Sequence, residues 1–258
     1  MTNKTFIFEQ PLNERIRIFL RIEALIDRLN FFVKQDNDHA SHHALLTVLE
    51  LTALLERGDI KQETIKELER QHKVLTGLIS NQKVDKSRLE LTLSKIKHAL
   101  SSMHTMDGKL GEHLKKIDFL LAVKQRATIP GGSCDFDLPQ LRYWLNQKFD
   151  VRSSDIKRWS APYYQLHEVI ELVLNLIRDS AFADSVTATN GFFQQSLDTS
   201  LANQMLRIEL NCSSTFYPEI SAGKHRYSIR FLQPQQSIDQ LPVQIKQDIQ
   251  FNLFLCAL

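Results

Sequence analysis

Leu206-Arg207-Ile208-Glu209-Leu210-Asn211-Cys212 (LRIELNC, residues 206–212) decides the fold class, because it breaks the rhythm that governs most of the chain. Apolar residues occupy every second position, and Arg207, Glu209 and Asn211 fill the gaps. A period of two belongs to a strand with one face buried and one face wet. Tyr227, Ile229 and Phe231 repeat the pattern against Arg226, Ser228 and Arg230. So does the tail, where Val243, Ile245, Ile249, Phe251, Leu253 and Leu255 share one parity. These alternations predict a small antiparallel β-strand domain at about residues 184–258. The β-prone patch around Thr5–Phe8 is a candidate to complete it as an N-terminal strand over residues 4–9.

Upstream the period is helical. Ile18, Ile22, Leu25, Leu29 and Phe32 recur at steps of four and three, and Ile16, Leu20 and Ile26 widen the apolar surface. Pro11 sits where a first helical turn tolerates proline. Two further helices are expected over about 39–56 and 61–79, separated by Arg57-Gly58-Asp59, where glycine supplies a stop. Leu89, Leu93, Ile96, Leu100 and Met103 mark another, and Leu110, Leu114, Ile117 and Leu121 one more. A short helix near 140–145 and an amphipathic one carrying Leu166, Val169, Ile170, Val173, Leu174 and Ile177 complete the set. The reading is a mainly α, α+β chain: a multi-helix domain over 11–183 followed by the β-strand domain.

Composition narrows the function. The chain has 258 residues, 43% hydrophobic and 24% charged, with a formal charge of only +2. That is globular composition, without the broad basic surface that non-specific nucleic-acid binding requires. Cys134, Cys212 and Cys256 are odd in number, far apart and never spaced as C-x-x-C, which argues against a disulfide framework or zinc knuckle and fits a reducing cytoplasm. No apolar run approaches the roughly 20 residues that span a bilayer, and the start lacks the pattern of a secretory signal.

The least ordinary segment, IPGGSCDFDLP at 129–139, carries little chemistry on inspection. It lacks the lysine and spacing of a phosphate loop, and it is not a G-x-S-x-G nucleophile elbow. The expected role is a shaped turn in which the glycines permit positive φ, Asp137 caps the next helix, and Cys134 and Phe136 tuck inward. A cysteine-dependent enzyme using Cys134 with a remote histidine is the alternative class. His39, His42 and His43 cluster beside Asp36 and Asp38, yet QDNDHASHH reads as a polar loop and helix start with Asp38 as its cap. In H-E-V-I-E at 167–171 glutamate replaces the second histidine of a zinc-protease motif. Neither a metal site nor a cofactor is expected.

Cations form the more informative pattern. Arg17, Arg21 and Arg28 fall within about 40° of one another on a helix at 100° per residue. Lys224, Arg226 and Arg230 share one strand parity, opposite the apolar one. Such groups either form local ion pairs or meet an acidic partner.

Five stretches, in order, carry a family resemblance: FEQPLNERIRIFLRIE at 8–23, LLERGDI at 54–60, IPGGSCDFDLP at 129–139, NGFF at 190–193 and YPEISAGKHRYSIRF at 217–231. Together they resemble the ZapD family of cell-division proteins, over nearly the whole chain. The resemblance implies a non-enzymatic, cytoplasmic bacterial protein at the midcell division ring, with a helical and a β-strand domain. It further implies a homodimer that binds the C-terminal tail of FtsZ, the tubulin-like division protein, and bundles its filaments. The basic residues implied in partner binding are Arg21 in LRIE, Arg57 in LERG and Arg226 in KHRYSIRF, with Lys224 and Arg230 as weaker additions.

Overall fold

The computed structural model describes residues 5–56, 58–106, 108–235 and 239–258. Seven α-helices and two small antiparallel sheets make the chain mainly helical α+β among those residues. It divides into two units, Ile18–Val173 and Met1–Arg17 with Leu174–Leu258.

Helix α1, Glu14–Phe32, begins where Asn13 accepts the Ile16 amide at 3.0 Å, a side-chain cap on one of the unpaired first-turn donors. Pro11 is therefore the last residue of a strand, not part of the helix. The buried stripe is Ile16, Phe19, Ile22, Ile26 and Leu29, all with no exposure. Of the expected stripe only Ile22 and Leu29 lie on it; Ile18, Leu25 and Phe32 flank it, half-buried. Apolar residues on more than one face leave the phase of a helix ambiguous, and packing resolves it.

Helix α2, Asp38–Leu55, is capped by Asn37, which accepts the Ala40 amide at 2.7 Å; Asp38 instead accepts the His39 amide. Asp59 and Asp85 cap α3, Ile60–Thr76, and α4, Lys86–Thr105. The single helix expected through Leu110–Leu121 does not form. A 3₁₀ turn at Glu112–Lys116 is separated from α5, Asp118–Arg126, by Ile117 in extended conformation. Gly111, at φ +82°, enters the turn so closely that a Cβ would lie 3.0 Å from Thr52 Cγ2 and 3.3 Å from the Tyr163 hydroxyl. That hydroxyl is 2.7 Å from Thr52 Oγ1, and burial pushes its pKa up to about 12.

Helix α6, Pro139–Leu145, leads to α7, Phe149–Arg178, which continues through Pro162. Leu166, Val169, Ile170, Val173, Leu174 and Ile177 are all buried on it, as their spacing predicts. The corner before α6 is built on backbone proximity: a Cβ on Gly132 would lie 2.5 Å from the Arg126 carbonyl oxygen. Two details differ from expectation. Cys134 is exposed and Phe136 is 85% exposed, so neither tucks inward. Asp137 does not cap α6, whose N-cap is Leu138; it accepts from Arg126 Nη1 at 2.9 Å. A short tight turn has no interior to receive those side chains.

The sheet unit holds β1 (Thr5–Pro11), β2 (Asp184–Ala188), β3 (Phe192–Ser196), β4 (Met205–Asn211), β5 (Tyr217–Ala222), β6 (Arg226–Gln233), β7 (Val243–Gln244) and β8 (Ile249–Cys256). One sheet has the order β1-β4-β8-β2; in the other β6 pairs with β3, β5 and the short β7. Their inner faces share one core, in which Leu206, Ile208, Leu210 and Phe251 meet Tyr227, Ile229 and Phe231. The Phe231 and Phe251 rings are 5.0 Å apart in an edge-to-face arrangement. Asn190 and Gly191, with φ of 50° and 71°, carry the chain from β2 to β3, the pair of positive angles that an Asn-Gly turn favours.

Candidate partner-binding surface

Strand β6 organises the surface. Tyr227, Ile229 and Phe231 point into the core, so Arg226, Ser228, Arg230 and Leu232 face outward. Arg226 and Arg230 are both exposed, and four residues of strand separate them by about 13 Å. Lys224 is not on the strand, as parity alone had placed it. It lies in the bend between β5 and β6, closed by a hydrogen bond from the Gly223 amide to the Arg226 carbonyl at 2.9 Å. Among the described residues none of Lys224, Arg226 and Arg230 makes a side-chain ion pair. The three cations therefore meet solvent.

Strand register adds neighbours that alternation within one strand cannot show. On the β3 side Ser196 lies opposite Arg226, Gln194 opposite Ser228 and Phe192 opposite Arg230. On the β5 side Glu219 lies opposite Arg230, Ser221 opposite Ser228 and Tyr217 opposite Leu232. Phe192 is 38% exposed, and Tyr217 and Leu232 are half-buried. Arg226 thus sits at one end of an open sheet face, and Arg230 lies towards the other, beside Phe192 and next to Tyr217 and Leu232. The signal for this lay in the sequence only as separate fragments, NGFF and YPEISAGKHRYSIRF, because pairing is non-local.

The other expected cations lie elsewhere. Arg21 is exposed on α1, in the unit 18–173. Its two stripe companions are engaged: Arg17 pairs with Glu14, and Arg28 donates to Thr47 Oγ1 at 3.1 Å and pairs with Glu50. Arg21 alone of the three makes no ion pair among the described residues. Arg57 lies outside the described residues. Its neighbour Glu56 accepts from Lys124 at 3.0 Å and sits 3.6 Å from Lys115. The Lys124 hydrogen bond, opposed by partial desolvation and aided by both lysine charges, holds the Glu56 carboxyl below its ordinary range.

Among the described residues no group of three or more His, Cys, Asp or Glu side chains could hold a metal ion. His43 stacks on Phe32, at 5.1 Å between ring centres, and His42 and His43 lie 6.3 Å apart. Cys134 is exposed, and no base contacts its sulfur among the described residues. No helix among those residues is long and apolar enough to cross a membrane.

The ZapD profile, described as "Cell division protein", matches residues 20–230, from the first helix to Arg230 on β6. The chain belongs to the ZapD family of cell-division proteins. Among its relatives, Cell division protein ZapD of Nitrosomonas europaea is 37% identical over 251 residues, covering 97% of this chain and 95% of the relative. That of Chromobacterium violaceum is 37% identical over 249 residues, covering 96% and 98%. That of Cupriavidus necator is 38% identical over 251 residues, covering 97% and 98%. ZapD membership thus extends over both units, and a role in cell division follows from it. In this ZapD-family chain the open face of β6 is the exposed cationic feature that strand register ties to a defined set of neighbours.

Proposed function

We propose that this chain binds the C-terminal tail of FtsZ and, as a homodimer, cross-links and bundles FtsZ filaments at the midcell division ring, without catalysis and without a cofactor. The observation that carries the reading is the pair Arg226 and Arg230, exposed on one sheet face of a ZapD-family chain and without ion pairs among the described residues. Guanidinium groups form forked hydrogen bonds with carboxylates, and an acidic tail relieves the repulsion between neighbouring cations. Lys224 adds charge at the Arg226 end. Arg57 and Arg21 are further contacts, Arg21 supporting the filament from the helical unit. A two-fold dimer presents two equivalent tail sites, and the second contact gains from tethering.

Co-sedimentation and light scattering with assembled FtsZ, intact and lacking its tail, test this reading. Binding and bundling are expected with intact filaments only. Arg226→Glu is expected to weaken tail binding by at least about tenfold, the scale of losing a charge-assisted contact and gaining a repulsive one, with an unchanged melting temperature. Equal binding to tail-less filaments, or full affinity in Arg226→Glu, would overturn it.

A further inference from the structure

The open face of the β3-β6-β5 sheet is not uniformly cationic. Arg226 faces Ser196 on β3, and on its other side the chain turns at Gly223, so no acid stands opposite it. Arg230 has Glu219 directly across on β5 and Phe192 directly across on β3. Residues directly opposite in an antiparallel pair have Cβ atoms about 4.5–5.5 Å apart, so Glu219 acts on whatever approaches Arg230. No ion pair joins Glu219 to Arg230 among the described residues. Two residues beyond Arg230, Leu232 lies opposite Tyr217 on β5, adding apolar surface near Phe192, and opposite Gln244 of β7 on its other side.

From this register we infer that the face is a directional site with two unlike ends, and that Glu219 sets the direction. The inference rests on the tail-binding reading and specifies what such a tail must present: an extended segment with a carboxylate at the Arg226 end and a large apolar side chain against Phe192 and Leu232. Six residues of strand, about 20 Å, separate Arg226 from Leu232, so a segment of comparable length covers both ends. A carboxylate placed at Arg230 instead meets Glu219 as a like charge, and part of the arginine's attraction is cancelled. An apolar side chain at that end meets Phe192 and carries no charge for Glu219 to repel, while Glu219 still weakens the pull of Arg230 on the carboxylates of the rest of the segment. Discrimination therefore arises from a repulsive element as well as an attractive one. Arg226 is the main carboxylate anchor, and Arg230 is a partly neutralised one whose weight Glu219 limits.

Fluorescence-anisotropy titration of the FtsZ tail peptide against the full-length chain, at low and high salt, tests the inference. Arg226→Gln is expected to cost about tenfold or more in affinity and to flatten the salt dependence. Phe192→Ala is expected to cost about fivefold with the salt dependence unchanged, because an apolar contact is not screened, and Phe192→Leu to recover most of that loss. Glu219→Gln is expected to tighten binding about twofold to fivefold at low salt, the range of a solvent-exposed charge interaction, and to make Arg230→Gln more damaging than it is beside Glu219. Each variant is compared at matched melting temperature, so that a loss through unfolding is separated from a loss of contact. A Glu219→Gln affinity equal to or weaker than wild type, or a Phe192→Ala affinity equal to it, overturns the directional site while leaving tail binding standing. Failure of the wild-type chain to bind the peptide overturns the tail-binding reading itself.

Discussion

His42 shows what one side chain carries beyond its spacing. Its ring is half-buried on α2, and Nε2 is shielded from solvent without a hydrogen-bond partner among the described residues. Desolvation, followed by the charges of His43 and His39, lowers its pKa below the ordinary value of 6.5. A histidine depressed in the folded state stabilises the fold above the ordinary pKa, where it is neutral in both states. As pH falls below about 6.5 the unfolded chain takes up a proton that folded His42 does not, so stability falls until the folded pKa is reached. Urea unfolding across pH 7.5 to 5.5 should show a decline that is shallower in His42→Asn; an identical slope would place the decline in other groups. The histidine cluster was visible in sequence as QDNDHASHH. That His42 is partly buried while His39 and His43 stay exposed, and that Asn37 rather than Asp38 caps the helix, depended on side-chain direction.

At the scale of elements, period alone identified the strands β4, β6 and β8 and the buried face of α7, because each presents one apolar side to one core. It failed where a backbone constraint interrupts the pattern. Leu110, Leu114, Ile117 and Leu121 keep helical spacing, but Gly111 at φ +82° and extended Ile117 divide the segment. Strands β2 and β3 were missed because they are five residues long and mostly exposed, with too few apolar positions to show a period. The turn joining them has a sharper signature. A Cβ on Gly191 would lie 2.3 Å from the Ile245 carbonyl oxygen, at φ +71°, whereas Gly108 at φ +73° has nothing within 4 Å. Gly108→Ala should therefore cost only the conformational penalty, about 1–2 kcal/mol. Gly191→Ala must also move backbone, and should cost at least about 2 kcal/mol more than Gly108→Ala. Denaturant midpoints at constant slope measure the difference; equal costs would mean that the β2–β3 turn and the segment at Ile245 yield without strain.

For the whole molecule, the Arg226–Arg230 face was legible as parity in one strand, while Phe192 and Glu219 entered through the register of two others. The proposed bundling asks more, since a single tail site binds a filament but cannot join two. In a homodimer the two sites are equivalent by symmetry, and only a dimer with both intact can bridge. If wild-type and Arg226→Glu chains are mixed in equal amounts and allowed to exchange subunits, about one quarter of dimers keep two intact sites under random pairing. Bundling by light scattering should then fall well below that of the same wild-type chain diluted twofold with buffer, and filament binding by co-sedimentation should fall less. Rising salt should weaken both, because the contacts are exposed charges screened over about 8 Å at physiological ionic strength. If the mixed sample bundles as well as the diluted wild type, the inactive chains are bystanders, and bridging does not depend on two Arg226 sites within one dimer.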